Sequence, residues 1–380
     1  METVYKYICY AFRFLFFTFT NLYALPCYMV WMTLLTPFRY LAPATYWKME
    51  AFMFKMLQTM VVTWIDTNGY KVLECGDDIS KLQDKGTIIL CNHQSTADTP
   101  VLMLSSYGKG MASGNTFWIM YILFKYTNFG LVSMLRGDFF IDQGKNVRQF
   151  QLAKLKEHLL NSYLPHNRKW IIVFPEGGFL YKRIEASQEF ARKYGHPVLQ
   201  HTTLPRIGAM KTILDTVGVP YQPQEQNKDT DNDVNNYQLG DPSRPVKWVV
   251  DMTIAYKDKK PLDMLGMCIG YNPRNDILLH YRVYRAEDIP RDEAGLTTWL
   301  YNLYSKKDAI LDHYYKEGRL PEDLFTEQSE FPQLEKSPLK FDLLQQILIH
   351  TFFITSCYVH YVYLVKPIFA IFSFFLSFIF

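Results

Sequence analysis

Two long uncharged stretches bracket a body in which short apolar runs alternate with amphipathic ones. From Phe14 to Thr36 there is no Asp, Glu, Lys or Arg, a length suited to a helix crossing a hydrocarbon core of about 30 Å. Asn21 and Pro26 interrupt it, and no small-residue cleavage site follows before Pro37, so residues 1–45 read as an uncleaved anchor rather than a signal peptide. Lys6 and Arg13 precede the stretch while Arg39, Lys48 and Lys55 follow it, a slight bias toward a cytosolic body. In residues 46–69, Met49, Phe52, Met53, Met56, Leu57, Met60, Val61 and Trp64 fall on one helical stripe opposite Lys48, Glu50, Lys55 and Gln58. An amphipathic helix lying in the headgroup layer and an ordinary core-facing helix both fit this pattern. We carry the interfacial helix forward as the expectation.

At the other end, Leu344 to Val365 is again uncharged, and Lys366 and Pro367 lead into the apolar run Ile368 to Phe380. Residues 323–380 therefore read as a connector and a membrane-embedded segment, a single span or a kinked hairpin. His350 and His360 read as interfacial or helix-contacting residues.

Between these ends, residues 70–322 form the soluble body. Tyr70 to Cys75, Thr87 to Cys91, Trp170 to Phe174, Val246 to Tyr256 and Ile277 to Tyr284 predict strands; Thr99 to Ser106, Asn146 to Asn161 and Thr297 to Tyr315 predict helices. The alternation predicts an α/β fold, a mixed sheet flanked by helices. Residues 221–244, rich in Gln, Asn, Asp and Pro, predict an exposed polar loop.

Composition narrows the function classes. Forty Lys and Arg against 37 Asp and Glu leave a net charge of +3 over 380 residues, too near balance for a nucleic-acid partner. Twenty-eight Phe, 27 Tyr and 7 Trp crowd toward both ends and point to a bilayer. The six Cys form no C-x-x-C pair and read as reduced thiols, and the absence of any Asn-x-Ser/Thr triplet fits a body that does not face a glycosylating lumen.

The stretch Asn92-His93-Gln94-Ser95-Thr96-Ala97-Asp98 sits between a predicted strand and an apolar helix. A separation of five lets the Asp98 carboxylate reach one imidazole nitrogen of His93 and raise the basicity of the other, giving a general base; alternatively Asp98 caps the helix. Phe174-Pro175-Glu176-Gly177-Gly178 follows a second strand. There the glycines allow close approach of a ligand, with Glu176 as an acceptor for a hydroxyl, or the segment is simply a turn.

In this order, the two stretches resemble the glycerophospholipid acyltransferase superfamily, the family of 1-acylglycerol-3-phosphate acyltransferases. Arg136-Gly137-Asp138-Phe139-Phe140-Ile141-Asp142 is similar to a further block of that family, and Thr203-Leu204-Pro205-Arg206 to another. Glu176-Gly177-Gly178-Phe179-Leu180, Lys125-Tyr126-Thr127-Asn128-Phe129-Gly130 and Tyr314-Tyr315-Lys316-Glu317-Gly318 resemble the acyl-CoA:lysophosphatidylglycerol acyltransferase branch. The resemblance spans Lys71 to Pro321 and implies a glycerol-phosphate acyltransferase-like fold. It also implies acyl transfer from acyl-CoA, as co-substrate, to a lysophospholipid in the endoplasmic reticulum membrane, with the site facing the cytosol. No other cofactor and no metal is expected.

In that scheme His93 and Asp98 are catalytic, and Glu176, Gly177, Gly178, Arg136, Gly137, Lys145, Pro205 and Arg206 bind substrate, with Lys182 and Arg183 as further candidate cations. Ser95 is filler. Relatives acting on phosphomonoesters carry Arg where this chain has Gln143 and Phe179, so the resemblance implies a phosphodiester headgroup, which carries less charge to neutralise. Thr116 to Phe124 is apolar enough to line an acyl channel, or to pack in a core. Other acceptors, a thioesterase and a non-catalytic membrane-shaping protein are the competing readings.

Overall fold

Eight strands form one sheet in the computed structural model of the chain, which describes residues 2–144, 146–222, 243–325 and 329–377. The strands are β1 (Val72–Asp77), β2 (Gly86–Cys91), β3 (Thr116–Tyr121), β4 (Phe139–Ile141), β5 (Trp170–Val173), β6 (Val246–Tyr256), β7 (Ile277–Arg285) and β8 (Gln333–Pro338). Their order across the sheet is β4-β3-β5-β2-β6-β7-β1-β8. From β4 to β6 all neighbours are parallel, whereas β7 is antiparallel to β6, β1 parallel to β7, and β8 antiparallel to β1. The sheet is thus mixed, and the carboxyl ends of β4, β3, β5, β2 and β6 share one edge. Strands β2 and β5, with the runs Gly-Thr-Ile-Ile-Leu-Cys and Trp-Ile-Ile-Val, are buried along their whole length because both faces of the sheet are covered.

Among the described residues, twelve α-helices accompany the sheet: α1 (Glu2–Leu34), α2 (Thr36–Leu41), α3 (Pro43–Asp66), α4 (Asp98–Tyr107), α5 (Asn128–Arg136), α6 (Arg148–His158), α7 (Leu180–Tyr194), α8 (Ile207–Val217), α9 (Met264–Ile269), α10 (Glu293–Glu317), α11 (Leu343–His360) and α12 (Lys366–Leu376). One core packs α1, α3, α4 and α11 side chains against one sheet face, among them Tyr28, Phe54, Leu102 and Phe353. The other face carries α6, α8 and α10 through Leu155, Ile213 and Leu300. Most of the predicted loop, residues 223–242, lies outside the described residues.

Thr3–Leu34 and Leu343–Leu376 are long and apolar enough to cross a membrane. The second runs as one helical rod through a π turn at Tyr361–Val365, just before Pro367; an imino acid without an N–H displaces the regular ladder at that point. The helix α1 is not free-standing. It lies along α3, with Tyr28 Oη donating to Glu50 Oε1 at 2.8 Å and Trp64 Nε1 to Thr20 Oγ1 at 2.8 Å. His350 of α11 joins both through Tyr23 and Thr63, a contact between helices.

Here the structure corrects the interfacial expectation for residues 46–69. Two members of the supposed polar face, Glu50 and Gln58, are buried, so α3 is a core helix carrying its own ion pairs. Glu50 meets Arg136 Nη1 and Arg168 Nη2, each at 2.7 Å, and Asp138 lies 3.5 Å from Arg136 Nε. Two guanidiniums against two carboxylates leave no net charge in the core. Beside them the His166 ring stacks on Trp47, with centroids 3.4 Å apart, and its Nδ1 lies 3.2 Å from the Arg136 carbonyl.

Three predictions follow from this buried cluster. Breaking such a network on one side costs about 3–5 kcal/mol, so Glu50→Gln should lower the melting midpoint strongly. Arg136→Lys should also lower it, because Arg136 is fully buried. Burial, and secondly the Arg168 charge, lower the His166 pKa to about 3. The folded protein keeps that ring neutral while the unfolded chain protonates it near pH 6.5, so stability should be complete above pH 6.5 and decline as the pH falls toward 3. Melting curves of His166→Gln beside the parent chain should show a flatter dependence over that window.

Candidate active site

The parallel strands set the place. In such sheets, ligands gather beyond the carboxyl ends of the strands, and Asn92 to Asp98 leave β2 at that edge while Phe174 to Gly178 leave β5 beside it. Asn92 fastens the first loop to β6 by a reciprocal pair of bonds with Ile254, 2.9 and 2.8 Å.

His93 Nδ1 lies 2.9 Å from Asp98 Oδ2. The same oxygen accepts the Ser95 N–H at 2.9 Å, and Oδ1 accepts the Tyr256 hydroxyl at 2.6 Å. Asp98 is fully buried, and α4 has no side-chain cap, so this carboxylate serves the histidine rather than the helix. The imidazole packs between Phe174 and Phe179, with centroids at 4.1 and 4.4 Å, and its side chain is 14% exposed. With Nδ1–H directed at the carboxylate, Nε2 is the basic nitrogen, and it makes no hydrogen bond to the described residues. Ser95 donates its hydroxyl to the Leu262 carbonyl at 2.5 Å, a structural contact.

Glu176 departs from its expected part as acceptor for a substrate hydroxyl. It is 2% exposed. Its Oε1 accepts the His93 backbone N–H at 2.8 Å, and its Oε2 accepts both the N–H and the hydroxyl of Thr203 at 2.9 Å. Burial pushes its carboxyl up to about 8 against the pull of these donors. Glu176 is therefore a positioning residue that ties the His93 loop to the Thr203 loop. The Leu180 N–H, bonded to the His93 carbonyl at 2.7 Å, adds a third tie.

Among the predicted substrate-binding residues, the structure brings Glu176, Gly177, Gly178, Pro205 and Arg206 together and places Arg136 and Gly137 elsewhere. Gly177 has φ +69°, and a Cβ there would meet the Arg206 guanidinium at 3.1 Å; one on Gly178 would meet Arg183 Nε at 2.6 Å. The Arg206 N–H bonds the Pro175 carbonyl at 2.8 Å. Burial, then the charges of Arg183 and Arg148, lower the Arg206 pKa, so three guanidiniums share this corner. Arg183 donates to Gln143 Oε1. Gln143 thus orients a cation supplied by α7. Arg136 belongs instead to the buried network, and Gly137, at φ +76°, caps α5, where a Cβ would strike Ser162 Oγ at 2.3 Å. These two are corrected from ligand-binding to structural roles. Lys145 lies outside the described residues. Among the described residues, no three His, Cys, Asp or Glu side chains form a ligand group.

Sequence reasoning missed Tyr256, Arg148 and Asp308. Tyr256 at the end of β6 gave a weak signal, as a phenol closing an apolar strand. Asp308 gave none, yet it receives the N–H groups of Gln200, His201 and Thr202 at 2.6–3.1 Å and so holds the loop that presents Thr203 to Glu176.

Residues 75–222 match the family described as Acyltransferase, and residues 269–343 that described as Acyltransferase C-terminus. Human acyl-CoA:lysophosphatidylglycerol acyltransferase 1 is 40% identical over 309 residues, 81% of this chain and 82% of that protein, and its mouse counterpart is equally similar. Human 1-acyl-sn-glycerol-3-phosphate acyltransferase gamma is 27% identical over 161 residues, 41% of this chain and 35% of that protein. A histidine–aspartate pair at the carboxyl edge of a mixed sheet, on a chain this similar to enzymes of one kind, belongs to the 1-acylglycerol-3-phosphate acyltransferase family of glycerophospholipid acyltransferases.

Proposed function

We propose that the chain transfers an acyl group from acyl-CoA to the free hydroxyl of a lysophosphodiester lipid such as lysophosphatidylglycerol, at the cytosolic face of the endoplasmic reticulum membrane. The observation that carries this is His93 Nε2, unengaged beside two aromatic rings while Asp98 holds the other nitrogen 2.9 Å away. A lipid hydroxyl is a poor nucleophile at neutral pH. As its oxygen bonds to the thioester carbonyl carbon, its proton passes to Nε2, and buried Asp98 stabilises the imidazolium. Collapse of the tetrahedral species breaks the carbon–sulfur bond, and the imidazolium proton goes to the departing CoA sulfur. No acyl-enzyme is needed.

The Arg148, Arg183 and Arg206 corner supports a phosphate-bearing substrate, since guanidiniums bind phosphate oxygens in a fixed geometry. Position 143 carries a neutral amide already bonded to Arg183, and Phe179 lies against His93 rather than presenting charge. This supports a singly charged phosphodiester. The names of the most similar relatives point the same way.

The reading is tested with labelled acyl-CoA, purified protein and a panel of lysophospholipids. Product should depend on the acceptor, and His93→Ala should reduce it by about 10²–10⁴-fold, the usual contribution of a general base. CoA release indifferent to acceptor would identify a thioesterase, and folded protein giving neither product would favour a non-catalytic role. Headgroup choice has its own test. Arginine at both 143 and 179 would crowd guanidiniums that a dianion relieves better than a monoanion, so Gln143→Arg with Phe179→Arg should raise the use of lysophosphatidate relative to lysophosphatidylglycerol. An unchanged ratio would refute the charge argument.

A further inference from the structure

Beyond β3 the chain turns apolar side chains outward. Leu123, Phe124, Tyr126, Leu131 and Met134 are exposed by 60, 44, 82, 49 and 39%, on the single 3-10 turn Ile122–Tyr126 and the outer side of α5. Isolated exposed apolar residues need no explanation, whereas a contiguous patch marks a surface of interaction. The acyl-channel expectation for Thr116 to Phe124 divides here. Thr116, Phe117 and Trp118 are buried in the sheet, while Leu123 and Phe124 face outward and do not line an interior channel.

Three observations identify the occupant. The patch continues the outer face of α1, because Asn128 Nδ2 donates to Asn21 Oδ1 at 3.0 Å and α1 exposes Phe12, Leu15, Phe19 and Leu22. Its formal charge is Lys125, and no Asp or Glu occurs between Asp98 and Asp138, so nothing there repels anionic headgroups. Its side chains are aromatic and aliphatic with one cation, the mixture that settles at a water–lipid boundary.

We infer that residues 121–134 form a bilayer-docking surface that extends the lipid-facing side of α1 to the catalytic edge of the sheet. Because β3 runs parallel to β5 and β5 to β2, this segment and His93 leave the sheet at the same edge. Docking it on the bilayer therefore brings the general base to the depth at which a lysolipid carries its hydroxyl. The surface itself does not depend on the acceptor or on catalysis, and its test reads position rather than turnover.

The full chain, with Cys9 and Cys357 replaced by Ser, receives one reporter cysteine, Leu123→Cys, labelled with bimane and reconstituted in phosphatidylcholine–phosphatidylglycerol vesicles. Leu160→Cys, equally placed on an exposed leucine but where the chain returns toward the opposite edge of the sheet, is the control. Matching melting midpoints establish that both variants fold. Phospholipid brominated along its acyl chains should quench the label at 123 severalfold more than at 160, and aqueous iodide should do the reverse. Equal quenching at the two positions, or iodide reaching 123 as readily as 160, would overturn the inference. So would shielding of 123 from both quenchers that rises with protein-to-lipid ratio, the sign of a second copy seated on the patch.

Discussion

The site depends on one buried carboxyl group whose two oxygens are taken by protein donors. Glu176 takes the His93 backbone N–H on one oxygen and two donors from Thr203 on the other, and so fixes where the imidazole can stand. A buried acceptor with three donors is worth holding because each such bond contributes about 0.5–1.5 kcal/mol, and a donor left unpaired in the interior costs about 1–3 kcal/mol. The same logic recurs one step outward. Asp308, on α10, collects the three N–H groups before Thr203, so a helix far from His93 in the chain sets the position of a residue that sets the position of the base.

A second set of buried charges joins helices α1 and α3 to the body that carries His93. Glu50 on α3 is shared by Arg136 at the end of α5 and Arg168 just before β5, and the Oε1 that meets Arg136 also accepts the hydroxyl of Tyr28 from α1. Helix α1 is therefore packed, through α3, on the same core that carries β5 and its Glu176 loop. Helix α1 and the α/β body are parts of one packed unit, so the exposed apolar face of α1 holds a fixed orientation relative to the sheet edge.

What the sequence disclosed and what it hid follow from the range of the interactions. The His93–Asp98 pair was visible because its members are five residues apart on a strand-to-helix turn, strands β2 and β5 because burial on both faces demands apolar runs, and β6 and β7 because they are rich in Val, Ile and Tyr. Arg136 resembled a ligand residue because its block, Arg136 to Asp142, is similar to a block of the family. Its true partner, Glu50, is 86 positions away and sits in a stripe that also satisfies an interfacial helix. Periodicity does not tell a carboxylate in water from one neutralised in a core. β4, with three residues, and β8, whose residues Gln-Leu-Glu-Lys-Ser-Pro are mostly exposed at the sheet margin, carry too little apolar pattern to announce themselves. The run Thr116 to Phe124 misled differently, since apolar side chains that face a sheet core and those that face outward are written alike.

The charge at the proposed headgroup corner shows why a substitution read from sequence is not yet a statement about a site. Gln143 and Phe179 look like the loss of two cations. In space, the amide of Gln143 accepts from Arg183, and the glycines at 177 and 178 leave room for Arg206 and Arg183 to come against the backbone. The corner remains basic, but its guanidiniums are drawn from α6, α7 and the Arg206 loop, and one of them already spends a donor on a neutral partner. Neutralising capacity at such a site is set by how many donors remain free to converge on one phosphate. Removing charge from the loop after β4 while keeping it on α7 shifts that capacity without abolishing it, which is the adjustment expected when a doubly charged ligand gives way to a singly charged one.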